Sequence, residues 1–203
     1  MLITFEGTEG CGKSTLIRNL SQKLNELGIS HIVTREPGGS SVAEQIRSLI
    51  LHHEMDPLTE LFLYEAARAE HFQKTVVPAL KDGKWVLCDR FTDSTLAYQG
   101  FARGLPIPMI EQLNSMATVK RKPDLTFFLD LPVEQGLARA QDPNKFERAG
   151  IEFQKKVRKG FLFAIRKYPN RFKILKVAGK TPEQVCEAAL KALLSRKSRR
   201  SSK

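Results

Sequence analysis

The run Gly7-Thr8-Glu9-Gly10-Cys11-Gly12-Lys13-Ser14 fits the pattern G-x-x-x-x-G-K-[ST], and Thr15 follows it. Its chemistry is that of a phosphate cradle. Glycines let the loop wrap tightly, so that successive backbone N–H groups point inward at phosphate oxygens. A helix beginning near Lys13 adds its positive dipole end. Lys13 can neutralise the outer phosphates of a nucleoside triphosphate, and Ser14 can ligate Mg²⁺. A second pair, Asp89-Arg90, closes an apolar run. A carboxylate there can hold Mg²⁺ through water, and Arg90 offers a planar fork to a phosphate. Triphosphate binding leaves kinases, ATPase motors and GTPase switches. A GTPase needs N-K-x-D after a strand to read guanine. The nearest string, Asn144-Lys145-Phe146-Glu147, ends in Glu and follows a helix. A motor would usually be larger.

These residues need elements to position them. LITFE at 2–6 reads as a buried strand directly before the loop. Leu16, Ile17, Leu20, Leu24 and Leu27 then recur at helical spacing, and Gly28 ends that helix. Further strands are expected at 31–34, 85–89, 125–131 and 172–177. Helices are expected at 41–52, 57–81, 92–100, 106–117, 132–141, 147–168 and 181–194. Short apolar strands alternating with helices predict an α/β, three-layer fold: a five-stranded, mostly parallel sheet with helices on both faces. Ligands of such sheets bind beyond the carboxyl ends of the strands, which is where the loop and Asp89-Arg90 fall.

The chain has 203 residues and a formal net charge of +11. Residues 155–173 and 196–203 hold 13 of the 33 basic residues and no acid, so the rest is nearly balanced. The excess points to polyanions as partners, nucleotide or nucleic acid. One domain is expected over 1–194, with a basic, disordered tail at 195–203. No apolar run approaches a membrane span, and no secretory signal opens the chain. Cys11, Cys88 and Cys186 are scattered, and neither they nor the four histidines show zinc-ligand spacing. A reduced, cytoplasmic protein is expected.

Four strings occur in order: FEGTEGCGKST, TREPGGS, YEAARAEH and DRFTDSTLAYQG. Together, from residue 2 to about 194, they resemble the bacterial type of thymidylate kinase, a P-loop nucleoside monophosphate kinase family. The resemblance implies transfer of the ATP γ-phosphoryl group to dTMP, with Mg²⁺, as a step toward dTTP. It also implies a homodimer, and no membrane or nucleic-acid substrate. It assigns roles position by position. Residues Gly7 to Thr15 would bind ATP. Glu9 would lie near the sugar 3′-hydroxyl. Arg35, with Glu36 beside it, and Arg90 would hold the acceptor phosphate. Tyr64 stands where relatives usually stack Phe on thymine. Arg68, one helical turn on, would donate to thymine O4. Gln99 resembles the amide that reads the base edge, with Ser94 and Tyr98 on the same wall. Ser14 and, through water, Asp89 would hold the metal.

Three departures stand out. The phosphate loop has no Arg, so a short lid near 139–148 must supply the cation for the moving phosphoryl group. Arg139, Lys145 and Arg148 are available there, and Arg139 with Lys145 is the preferred pair. Relatives often read D-R-[FIL]-E where this chain has Asn144-Lys145-Phe146-Glu147. Ala67 replaces a common Asp, which would leave Arg68 without that orienting partner. Val177-Ala178-Gly179 lacks the family's usual acid. Two other readings remain at this stage: another nucleotide or deoxynucleoside kinase of the same fold, or a non-enzymatic P-loop protein that binds nucleic acid through the basic tail.

Overall fold

Five strands form, at Leu2–Glu6 (β1), His31–Arg35 (β2), Trp85–Asp89 (β3), Leu125–Asp130 (β4) and Phe172–Lys176 (β5). All pair in parallel, in the order β2-β3-β1-β4-β5. The computed structural model describes residues 1–139 and 145–201; the side chains of Lys145, Glu147 and residues 198–201 lie outside that description. β1, β3 and β4 are buried almost throughout, as continuous apolar runs in a doubly covered sheet must be, whereas the edge strands β2 and β5 are half-exposed.

The helices are α1 (Lys13–Glu26), α2 (Ser41–His52), α3 (Pro57–His71), α4 (Val77–Lys81), α5 (Thr92–Thr95), α6 (Ile107–Ala117), α7 (Val133–Leu137), α8 (Lys145–Arg148), α9 (Gly150–Lys167) and α10 (Pro182–Ser201). α1 and α10 cover one face, where Ile3, Phe5, Leu20, Leu24, Phe127 and Leu193 form one cluster. On the other face Leu2, Phe72, Val86 and Phe91 cluster, with Tyr98, Phe128 and Phe161 beside them. Alternation along β1 therefore turns Leu2, Thr4 and Glu6 toward one face, and Ile3 and Phe5 toward the other.

Two departures from plain α-helix matter. The expected long helix over 57–81 forms, but as α3 and α4 joined by a π turn at Phe72–Val76. That turn falls just ahead of Pro78, which lacks the N–H that an α-helix interior would use. A second π segment, Leu96–Ala102, follows α5. Elsewhere α7 stops at Leu137, short of the expected 141, and α10 runs to Ser201, past the expected end at 194. Residues 140–144, the middle of the expected lid, lie outside the described residues. Among the described residues no helix is long and apolar enough to cross a membrane.

Candidate active site

The phosphate loop joins β1 to α1 at the centre of the sheet, with β3 and β4 on either side. Gly12 takes φ of 93° as it enters α1. Gly10 (φ 67°) lies so close to α7 that a Cβ there would run into the Gly136 carbonyl, and a Cβ on Gly136 would run into that of Glu9. The loop and the helix leading to the lid are thus packed backbone to backbone, which explains glycine at both positions. Lys13 is buried and its Nζ reaches the carbonyls of Gly7 and Thr8, each at 3.4 Å. Ser14 Oγ lies 3.5 Å from Asp89 Oδ2, while Asp89 Oδ1 is buried without a hydrogen-bond partner. A hydroxyl beside a half-satisfied carboxylate, at the helix end of a phosphate loop, is a donor set that fits Mg²⁺.

Arg90 is the organising cation. Its backbone takes φ of 65°, a strained value for a residue with a Cβ. Arg90 N donates to Phe5 O, and the guanidinium donates to Glu9 Oε1 at 2.7 Å and to Gly7 O and Ser94 Oγ at 3.2 Å. It also lies over the Tyr98 ring. Burial opposes its charge, but Glu9, Tyr98 and Asp89 outweigh this and hold the guanidinium more firmly protonated than usual. Glu9 also accepts from the Tyr98 hydroxyl at 2.8 Å. Burial would raise its carboxyl, but Arg90, Lys13 and that hydroxyl bring it below the ordinary value, so it is ionised.

Facing this group, Tyr64 and Arg68 project one turn apart from α3. Arg68 is almost wholly buried. Its Nε donates to Glu36 Oε2, and its Nη1 to Glu65 Oε1 and Asn114 Oδ1, all at 2.7 Å. The expectation that Arg68 lacks an orienting partner is therefore overturned: Glu36, Glu65 and Asn114 do what the missing Asp at position 67 would have done. Both Glu36 oxygens are engaged, the second by His71 Nδ1 at 2.9 Å, so Glu36 acts through Arg68. Gln99 Nε2 donates to Glu60 Oε1 at 2.9 Å. The π segment carries Tyr98 and Gln99 together into one cavity, a use of such segments common at functional sites.

That cavity gathers most of the expected set. Glu9, Lys13, Ser14, Asp89, Arg90 and Ser94 line one side; Arg35, Glu36, Tyr64, Arg68, Tyr98 and Gln99 line the rest. Arg35 is half-exposed there and paired with Glu44 at 2.8 Å. Gly7, Thr8, Gly10, Cys11, Gly12 and Thr15 form the loop behind. Arg139 is exposed at the end of α7, away from the cavity lining, and the Lys145 side chain lies outside the described residues. From the lid side Phe146 reaches the cavity wall and packs edge-on against Tyr98.

Glu65, which accepts from Arg68, and four further participants escaped sequence reasoning. Arg47 of α2 lines the cavity, with Nη1 donating to Pro37 O at 2.9 Å. Asn114 orients Arg68. Glu60 holds Gln99. Glu6, wholly buried at the end of β1, accepts from Phe91 N at 2.8 Å and Ser94 Oγ at 2.6 Å. Glu6 had a local signal, as a carboxylate ending an apolar strand, and Glu65 another, as an acid three residues before Arg68 on one helix.

Comparison with known proteins shows the family. The family model described as thymidylate kinase matches residues 5–188. Among curated relatives, the thymidylate kinase of Geotalea uraniireducens is 50% identical over 202 residues, covering 94% of each chain. That of Syntrophotalea carbinolica is 46% identical over 196 residues, covering 91% of this chain and 90% of the relative. The crystal structure of thymidylate kinase from Ehrlichia chaffeensis superposes with a TM-score of 0.81 at 35% identity, covering 95% of this chain and 98% of that one.

Proposed function

The chain belongs to the thymidylate kinase family, and from that premise we propose how its own residues carry out the phosphorylation of dTMP to dTDP by ATP. One observation carries the reading. A single cavity joins the phosphate loop to a wall made by Tyr64, Arg68 and Gln99. Donor phosphates sit in the loop against its N–H groups and Lys13. Ser14 and Asp89 are the residues to hold Mg²⁺, whose chemistry there is to neutralise phosphate charge. Arg90 and Arg35 hold the acceptor phosphate, and Arg47 adds a third cation on that side. Tyr64 lies flat on the base, Arg68 donates to its O4, and Gln99 reads the imide edge. Ionised Glu9 accepts a hydrogen bond from the sugar hydroxyl.

The acceptor is already an oxyanion, so no strong base is required. Positioning and electrostatics carry the rate. Arg90 begins in an ion pair with Glu9, which keeps its fork aimed across the cavity. The lid supplies the remaining cation from Arg139 and Lys145, and lid closure excludes water.

The homodimer uses the adjoining α2, α3 and α6, which expose Val42 and Leu49, Leu58 and Phe62, and Met116. Exposed apolar side chains spaced by four and seven residues make a stripe suited to a second copy. A cytoplasmic location suits its three free, buried cysteines. The test is a coupled ADP-release assay across dTMP, dUMP, dCMP, dGMP and dAMP, with and without Mg²⁺. dTMP should be the best acceptor, and turnover should need the metal. A better purine acceptor would sink the assignment of the Tyr64–Arg68–Gln99 wall.

A further inference from the structure

Gln99 is an amide whose two ends are chemically opposite and nearly the same size. A free amide can turn over and present either a donor or an acceptor to a base. In this chain it is not free. Nε2 donates to Glu60 Oε1 at 2.9 Å. Glu60 is 1% exposed, and Arg103 donates to both its oxygens, Nε to Oε1 at 3.4 Å and Nη2 to Oε2 at 3.3 Å. Arg103 is fixed in turn, its guanidinium lying over the rings of Phe153 and Phe146 at 5.4 and 6.0 Å. The carboxylate so held only accepts. Turning the Gln99 amide over would set its oxygen against a carboxylate oxygen inside the protein, a buried repulsion with no hydrogen bond. One N–H of Nε2 is thereby committed to Glu60, which fixes the orientation of the amide and leaves Oε1, directed away from Glu60, for the cavity that Gln99 lines.

We infer that Glu60 is a positioning residue for specificity: by locking the Gln99 amide, it makes the pocket present a fixed acceptor to position 3 of the pyrimidine ring. Thymine and uracil carry N–H there and pair with it. Cytosine carries a lone pair and is repelled. Discrimination against cytosine nucleotides thus originates at a residue that need not touch the base. This rests on the reading of Gln99 as the amide facing the base edge. It adds what the motif YQG alone does not contain, namely which end of the amide faces the substrate and what holds it there.

The experiment compares kcat/KM for dTMP and dCMP in the wild type, Glu60→Gln and Gln99→Ala. Glu60→Gln is nearly isosteric but lets residue 60 donate as well as accept, so the Gln99 amide can turn over. The dTMP-to-dCMP ratio should fall by about tenfold or more, the worth of one oriented hydrogen bond. A merely structural role would lower both activities together and leave the ratio unchanged, which would overturn the inference. Gln99→Ala should collapse the ratio by itself; if it does not, the reading of Gln99 fails independently of Glu60. A wild-type measurement removes any dependence on variant folding. The 3-deaza analogue of dCMP differs by C–H in place of N3. It should bind about tenfold more tightly than dCMP, because it removes the lone pair facing Oε1. Equal or weaker binding would mean that the amide turns over freely.

Discussion

Replacing Glu6 by glutamine should change how stability depends on pH. Glu6 is wholly buried at the end of β1. It accepts from Phe91 N and Ser94 Oγ and lies near Asp93, which Arg171 binds with both Nη atoms at 2.6 and 2.7 Å. Burial, then the charge of Asp93, push its carboxyl from 4.5 up to about 8, against the opposing pull of Ser94, Arg90 and the Phe91 N–H. Between those two values the folded chain keeps a proton that the unfolded chain has released. Stability from this group is therefore complete below about pH 4.5 and falls as pH rises toward 8. One proton corresponds to about 1.4 kcal/mol per pH unit, and the full window to at most roughly 5 kcal/mol. The amide introduced by Glu6→Gln can still accept from Phe91 N and can donate to Ser94 Oγ, so it keeps the contacts and removes the titration. Urea unfolding at pH 5.5, 6.5, 7.5 and 8.5 should show the wild type losing stability relative to Glu6→Gln by up to about 1.4 kcal/mol per unit to pH 7.5, then levelling. Parallel curves for the two proteins, or a wild type that gains relative stability with pH, would show that Glu6 is ionised when folded.

Three further outcomes follow from the same geometry. Lys13→Ala should lower kcat by roughly a thousandfold, since it removes the cation of the phosphate loop; steady-state kinetics with retained dTMP binding would check it. Arg68→Ala should raise the KM for dTMP and, by leaving Glu36 and Glu65 buried without their cation, cost about 3 kcal/mol in denaturant unfolding; an unchanged KM would remove Arg68 from the base wall. Gly136→Ala should destabilise the fold by about 1–3 kcal/mol and raise the KM for ATP, because the new Cβ meets the Glu9 carbonyl. Helix propensity alone predicts the opposite sign in a melting experiment.

Much of the site was legible because its signals are local. The phosphate loop is a contiguous octapeptide whose glycines and Lys13 do their work within one turn of chain. Tyr64 and Arg68 share a helix face by spacing alone, and Asp89-Arg90 ends a strand that apolar composition marks. Parallel pairing followed from the helices that stand between successive strands. Where the reading fell short, the missing facts were long-range. The absent Asp at position 67 suggested an unsupported Arg68, but Glu36 and Asn114 reach it from 32 and 46 residues away. Glu60 and Gln99 looked unrelated for the same reason. The π segment at 96–102 was invisible because widening a helix by one residue leaves no compositional mark.

By itself, then, the amino-acid order determined the strand–loop–helix that binds phosphate, the parallel sheet and the family of reactions. The first two follow from backbone preferences and burial within a few residues; the third follows from the resemblance of four strings, taken in order, to a known family. Tertiary structure alone decided the electrostatic state and orientation of the polar groups. It decided that burial and the charge of Asp93 push the Glu6 carboxyl upward, that Arg90 is paired with Glu9, and that Gln99 is turned by Glu60. A side chain's charge and direction depend on which groups share its low-dielectric surroundings, and those neighbours are assembled only when distant segments pack.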